Sequence, residues 1–237
     1  VNYKMIINTP PEKQARRLGY KIEQAELNYS NIPITDITQR NFLSKDEISN
    51  LKKIEEFEVL IFTSIAAVKY GIKIVQDFIS IEDAKFQFMA VGPSTSKALL
   101  SHGINAMLPD TYDSDGLMKL CKSMNFKNIL VLSSSNSEMQ LSKYSEKVHY
   151  VFSHDVIALE NQIGVLRSSL NQCTKILIYS KFSLDIILKN TEIGSMQNLQ
   201  CILPSYRLVK LLPESLKKRA IVAGSALDED MFQAIQE

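Results

Sequence analysis

Short apolar runs of strand length alternate with segments of helical period along these 237 residues, and that alternation limits what the chain can fold into. Residues 57–62 form a clear strand that stops at Thr63-Ser64. The helix after it sets Ile65, Val68, Ile72, Val75 and Ile79 on one stripe. Residues 86–91 are a second strand, broken by Gly92-Pro93. Ser94 and Thr95 then sit where a helix begins, Gly103 closes that helix, and residues 104–108 read as a return strand. The runs 128–132, 175–179 and 200–203 end in hydroxyl turns at Ser133-Ser134, Ser180 and Ser205. Strands alternating with helices predict an α/β fold with mainly parallel sheets.

The remaining segments fit the same pattern. Residues 3–8 read as a strand, followed by a helix to Leu18 that Gly19 closes. Residues 31–38 are extended but contain Pro33, which suits an edge or a linker. A helix over 42–53 has Ser44 as its cap and Glu47 three residues on. A helix over 113–124 turns Leu117, Leu120, Cys121 and Met124 inward. Residues 148–158 are extended; period two puts Tyr150, Phe152 and His154 on one face, and His149 and His154 on opposite faces. The word Thr63-Ser64 is answered by Tyr179-Ser180, and Gly92-Pro93-Ser94 by Leu203-Pro204-Ser205, at nearly equal offsets. This echo predicts two similar domains.

Composition narrows the function. With 27 Lys+Arg against 26 Asp+Glu and no basic block beyond Lys217-Lys218-Arg219, nucleic acid is not an expected partner. No apolar run approaches a membrane span, and the first residues lack a signal peptide's charged start. Cys121, Cys173 and Cys201 are scattered and odd in number, which suits a reducing compartment. A cytoplasmic monomer is the expectation. The GxGxxG, GxxxxGK[ST] and GxSxG patterns are absent, and His102, His149 and His154 stand outside metal-ligand spacing. Neither a metal nor an organic cofactor is expected. The recurrent signal is serine or threonine where strands run into helices. One such residue is usually only a cap, but several at strand ends make a polar rim. Helix N-terminal N–H groups there can take anions.

Three words carry a family resemblance. EVLIFTSIAAVKYG at 58–71, AVGPSTSKALLSHGI at 90–104 and the segment 108–117 resemble uroporphyrinogen-III synthase. The resemblance implies two flavodoxin-like domains joined by a two-stranded linker. The expected boundaries are residues 1–31 with 159–237 for one domain, 39–147 for the other, and 32–38 and 148–158 for the linker strands. It also implies a substrate, hydroxymethylbilane, that loses its hydroxyl as water and closes through a spiro intermediate with its last ring inverted. Carboxylates of that substrate would meet Thr63, Ser64, Gly92, Ser94, Thr95 and Ser134 in one domain and Ser180 and Ser205 in the other. Phe152 falls where the family carries a linker tyrosine, which leaves Tyr150 or His154 as candidates to help the hydroxyl depart. The competing reading is a non-catalytic, two-lobed binding protein for a small polyanion.

Overall fold

The computed structural model describes residues 5–137, 141 and 147–237. Strand β1 (Met5–Asn8) buries Ile6 and Ile7, and helix α1 (Glu12–Gln24) starts behind Pro11 with Glu12 facing the positive end of its dipole. Gly19 does not end this helix. It lies inside α1, where a Cβ would come within 2.7 Å of Asn31 Nδ2 and 3.0 Å of the Tyr29 ring. The glycine therefore serves close packing on β2 (Tyr29–Asn31), and Glu26, at φ 55°, makes the left-handed turn after the helix.

Strand β3 (Thr35–Gln39) leads into α2 (Lys45–Lys52), where the capping box forms: Glu47 N donates to Ser44 Oγ at 3.2 Å and Ser44 N to Glu47 Oε2 at 2.8 Å. Next come β4 (Val59–Phe62), α3 (Ile65–Gln76), β5 (Gln87–Ala90) and α4 (Pro93–Leu100). All four β4 residues are fully buried. Within the α3 stripe Val68, Ile72 and Val75 are buried, whereas Ile65 in the first turn is exposed. Gly103 takes φ 76° after α4, but residues 104–108 form no strand. Met107 makes one isolated bridge to Met89, because the chain turns off the β5 edge at once. Helix α5 (Ser114–Ser123) buries Leu117, Met118 and Cys121, and Met124 points out rather than in.

Strands β6 (Ile129–Ser134) and β7 (Val148–Ala158) follow, then α6 (Glu160–Ser169), β8 (Cys173–Leu177), α7 (Lys181–Asn190) and β9 (Gln200–Leu203). The chain closes with α8 (Tyr206–Val209), α9 (Glu214–Lys217), β10 (Ala220–Val222) and α10 (Asp228–Gln236). The segment after β6 and its hydroxyl turn lies outside the described residues in part.

The strands make two five-stranded sheets, ordered β10-β9-β8-β1-β2 and β3-β7-β6-β4-β5. The first is parallel throughout, and in the second β7, β6, β4 and β5 are parallel. The edge pair β3/β7 runs antiparallel, since Leu159 N donates to Ile34 O while Arg40 N donates to Ser153 O. Residues 1–36 with 157–237 form one compact unit, and 37–156 form the other. The first unit's core gathers Ile7, Ile176, Leu184, Ile187 and Leu203; the second packs Leu60, Phe62, Val68, Ile72 and Leu132 on one side of its sheet. Val59, Ile61, Leu117 and Val131 pack on the other side. The sheet orders also revise the repeat. The sequence echo pairs β4 with β8, yet by sheet position β4 corresponds to β1, and β6 to β8.

Candidate active site

In each sheet the strand order reverses direction at one place: between β4 and β6 in the second unit, and between β1 and β8 in the first. Connections leave in opposite directions there, so the strand C-termini open a crevice that suits a ligand. Each crevice is bridged by a threonine of its own unit. Thr63 donates from N and from Oγ1 to Leu132 O, each at 3.2 Å, and Thr9 Oγ1 donates to Leu177 O at 2.5 Å. Thr9 is the counterpart of Thr63 that sequence words do not reveal. Asn8, fully buried beside it, donates to Ala15 O and Asn31 Oδ1 and accepts from the Tyr179 hydroxyl at 3.1 Å. Burial and nearby Asp228 raise the Tyr179 phenol above its usual range, which keeps it protonated as that donor.

The predicted hydroxyls take unlike places on this rim. Ser64 is the N-cap of α3, its Oγ accepting from Ala67 N at 3.0 Å. Neither Ser94 nor Thr95 caps α4: Gly92 is the N-cap and Pro93 the first helical residue. Thr95 is buried in the first turn with its N–H on Gly92 O at 3.1 Å, so this helix start offers fewer free donors than its sequence suggests. Tyr112 packs over Gly92, where a Cβ would meet Tyr112 Cβ at 3.4 Å. Ser134 ends β6 in register with His154. In the other unit Ser180 caps α7, accepting from Ser183 N at 3.1 Å, and Ser205 is the N-cap of the short α8 without a side-chain bond. The structure thus brings Thr63, Ser64, Ser134 and His154 to neighbouring strand ends of one sheet, with Gly92, Ser94 and Thr95 following β5, whereas Ser180 and Ser205 belong to the other.

Tyr150 and His154 do not share a face. The β6/β7 register pairs Ser133 with Phe152 and Ser134 with His154, so Ser153 is an extra residue, a β-bulge. Tyr150 and Phe152 stay together, rings stacked at 5.9 Å, and Tyr150 packs with the Val59–Ile61 side of the sheet. His154 is turned to the opposite side, against the Tyr70 ring of α3 at 6.1 Å. His149 meets Phe57 on that side too, so the two histidines share a face after all. His154 is 3% exposed, with Ser153 Oγ 3.0 Å from Nδ1, and burial pushes its pKa down to about 4 against a smaller opposing pull from Asp155. It is neutral at pH 7.

A stability test follows from that shift. The folded-state pKa lies below the unfolded value, so the unfolded chain binds a proton first as pH falls. Stability is expected to drop by up to about 3 kcal/mol between pH about 6.5 and about 4 on this group's account. Urea midpoints across that range, compared with those of His154→Gln, should show a slope that the variant lacks. Parallel slopes would mean that His154 is solvated.

One residue reaches further than its sequence context indicates. Glu47 completes the capping box, but its Oε1 also accepts from Arg40 Nη1 at 2.8 Å and from Phe152 N at 2.7 Å. Both side chains are nearly buried, at 11% and 5%. The Arg40 guanidinium lies over the rings of Phe42 at 4.3 Å and Phe152 at 5.5 Å. The carboxylate therefore fixes the strand that carries Phe152. No sequence signal marks this, since Glu47 and Phe152 are far apart along the chain. Burial raises the thiols of Cys121 to about 11 and of Cys173 and Cys201 to about 12, so none serves as a thiolate nucleophile at neutral pH. No group of His, Cys, Asp and Glu among the described residues could hold a metal ion, and no helix there is long and apolar enough to cross a membrane.

The chain is similar to known proteins at two levels. The family profile described as Uroporphyrinogen-III synthase HemD matches residues 17–150. A protein of Methanothermobacter thermautotrophicus, provisionally named a uroporphyrinogen-III synthase, is 24% identical over 124 residues, 52% of this chain and 48% of that protein. The match thus spans about half the length of this curated relative. Among solved structures, a mutant uroporphyrinogen III synthase of Thermus thermophilus superposes with a TM-score of 0.67 at 10% identity, over 98% of this chain and 96% of that one. The Helicobacter pylori uroporphyrinogen-III synthetase gives 0.56 at 13% identity, over 98% of each chain. At such identities the structural likeness speaks for the fold: two α/β sheets of mainly parallel strands.

Proposed function

The chain belongs to the uroporphyrinogen-III synthase family, and on that premise we propose that it cyclises hydroxymethylbilane to uroporphyrinogen III with loss of water. The observation that carries this reading is the profile match over residues 17–150, which takes in β4, α3, β5, α4, β6 and the strand ends between them. The chemistry fits that rim. The linear tetrapyrrole carries acetate and propionate groups and also closes without help to the unrearranged isomer. A protein gains over that background by holding the chain for attack at the substituted carbon of the last ring. Fixed N–H dipoles and hydroxyls suit carboxylates without any excess of lysine. At α3 the cap leaves the Ile65 and Ala66 N–H groups without a partner among the described residues. Ser64, Gly92, Ser94, Thr95 and Ser134 are the carboxylate contacts of this unit in our reading, Ser180 and Ser205 those of the other, and Thr63, with both donors on Leu132 O, holds the strand ends that carry them. The protein would work as a cytoplasmic monomer, without a cofactor.

The decisive assay incubates the protein with hydroxymethylbilane, oxidises the products and separates the type I and type III isomers. Type III is expected to predominate, formed faster than type I in protein-free buffer. Type I alone, at the uncatalysed rate, would remove the catalytic reading and favour a protein that binds a polyanion without turning it over.

A further inference from the structure

We propose that Tyr70 is the proton donor for the departing hydroxyl, with the Lys69 ammonium holding the phenolate that forms; this rests on the cyclase reading above. Loss of hydroxide from the substrate is slow unless the leaving oxygen receives a proton as its bond to carbon breaks. The strand-end rim of the second unit offers few groups able to give one. Thr63 spends its hydroxyl proton on Leu132 O, and aliphatic hydroxyls are far weaker acids than a phenol. His154 is buried and neutral, with Nδ1 engaged by Ser153 Oγ. Phe152 has no proton to give. Tyr150 faces the other side of the sheet, and Tyr112 has no ion pair or cation contact among the described residues.

Tyr70 differs from all of these. It stands in the second turn of α3, and helical side chains lean toward the N-terminus, here toward Thr63 and Ser64. Its ring lies against His154, whose backbone is in register with Ser134 at the end of β6. The phenol is half-buried, so one side of it meets solvent. Lys69 Nζ donates to its oxygen at 2.7 Å and lies 4.4 Å from the ring centroid. Because the ammonium occupies a lone pair, the O–H proton is left for another acceptor, and none takes it among the described residues. Once the proton has left, the Lys69 ammonium stands at hydrogen-bond distance from the phenolate oxygen and makes a charge-assisted bond to it.

The step balances. The Tyr70 O–H bond breaks toward the leaving oxygen, and the carbon–oxygen bond breaks with its electron pair on that oxygen, releasing water. The pyrrole nitrogen lone pair moves in to give the azafulvenium cation. The last ring attacks it, rearrangement follows, and the final ring carbon loses a proton that the phenolate takes back.

The test compares wild type, Tyr70→Phe and Lys69→Met on hydroxymethylbilane and on an analogue whose hydroxyl is replaced by an ammonium group. The analogue releases ammonia and needs no added proton. Tyr70→Phe keeps the ring against His154, and is expected to lower kcat on the hydroxymethyl substrate by about 10²–10⁴-fold, the range that general acid catalysis supplies. Lys69→Met should lose less, and kcat on the analogue should stay within about twofold of wild type in both variants. An unchanged kcat in Tyr70→Phe, or an equal loss on both substrates, would overturn the proposal while leaving the cyclase reading in place. A wild type inactive on hydroxymethylbilane would overturn that reading and the proposal with it.

Discussion

Glu47→Leu is expected to destabilise the unit formed by residues 37–156 by about 3–5 kcal/mol. The carboxylate accepts from Arg40, from Phe152 N and from Ser44 N, and the residue is only 4% exposed. Leucine fills much of the space but leaves a nearly buried guanidinium without its partner and two N–H groups without acceptors. The buried pair itself adds little net stability over an apolar pair, since both charges lose hydration, so the cost lies in breaking it one-sidedly. The double variant Arg40→Leu with Glu47→Leu should therefore recover part of the loss. Urea denaturation of the two single variants and the double closes the cycle. A single Glu47→Leu within about 1 kcal/mol of wild type would mean that Arg40 swings out to water.

Gly116→Ala should also cost stability, by about 2–4 kcal/mol, against the gain of about 1 kcal/mol that alanine normally brings to a helix. Gly116 is the third residue of α5, and its N–H bonds Asp113 Oδ1 at 2.8 Å. A Cβ there would stand 2.0 Å from Thr111 O and 2.5 Å from Thr111 Oγ1. The first is backbone and cannot rotate away, so the loop from Thr111 to Asp113 must shift. That loop carries Tyr112 over Gly92, which links the packing defect to the rim. A thermal melt and urea midpoint of the variant decide the sign. An alanine variant as stable as wild type would show that the loop yields freely.

Much of the α/β pattern can be read locally. Residues 59–62, the apolar core of the run read as a strand over 57–62, need no distant partner to be recognised as a strand, and Ser44 with Glu47 three residues later is a helix start whose bonds are all within one turn. Gly103 also reads correctly, because a left-handed residue after a helix is a local need. Gly19 shows the limit of that logic. Its sequence position suits a helix end, yet it answers to the close approach of Tyr29 and Asn31, and α1 runs on past it. Residues 104–108 have strand composition but meet a neighbour only at the Met89 bridge, and a strand needs a ladder. On the rim, the serines and threonines do fall at strand ends, while which of them caps a helix or bridges two strands depends on backbone geometry.

The sequence by itself determined the alternation of strands and helices, the polar strand ends and the family, because these rest on period, capping and short words within one stretch of chain. Only the tertiary structure decided which strand ends are neighbours. The β4/β6 and β1/β8 crevices come from sheet order, so Thr9 appears as the partner in kind of Thr63 only once both sheets are laid out. The bulge at Ser153 has the same origin. Period two assigns His154 to the face of Tyr150, but one extra residue against β6 reverses it and sets the ring beside Tyr70. Register is a relation between two strands, and no single strand's sequence contains it.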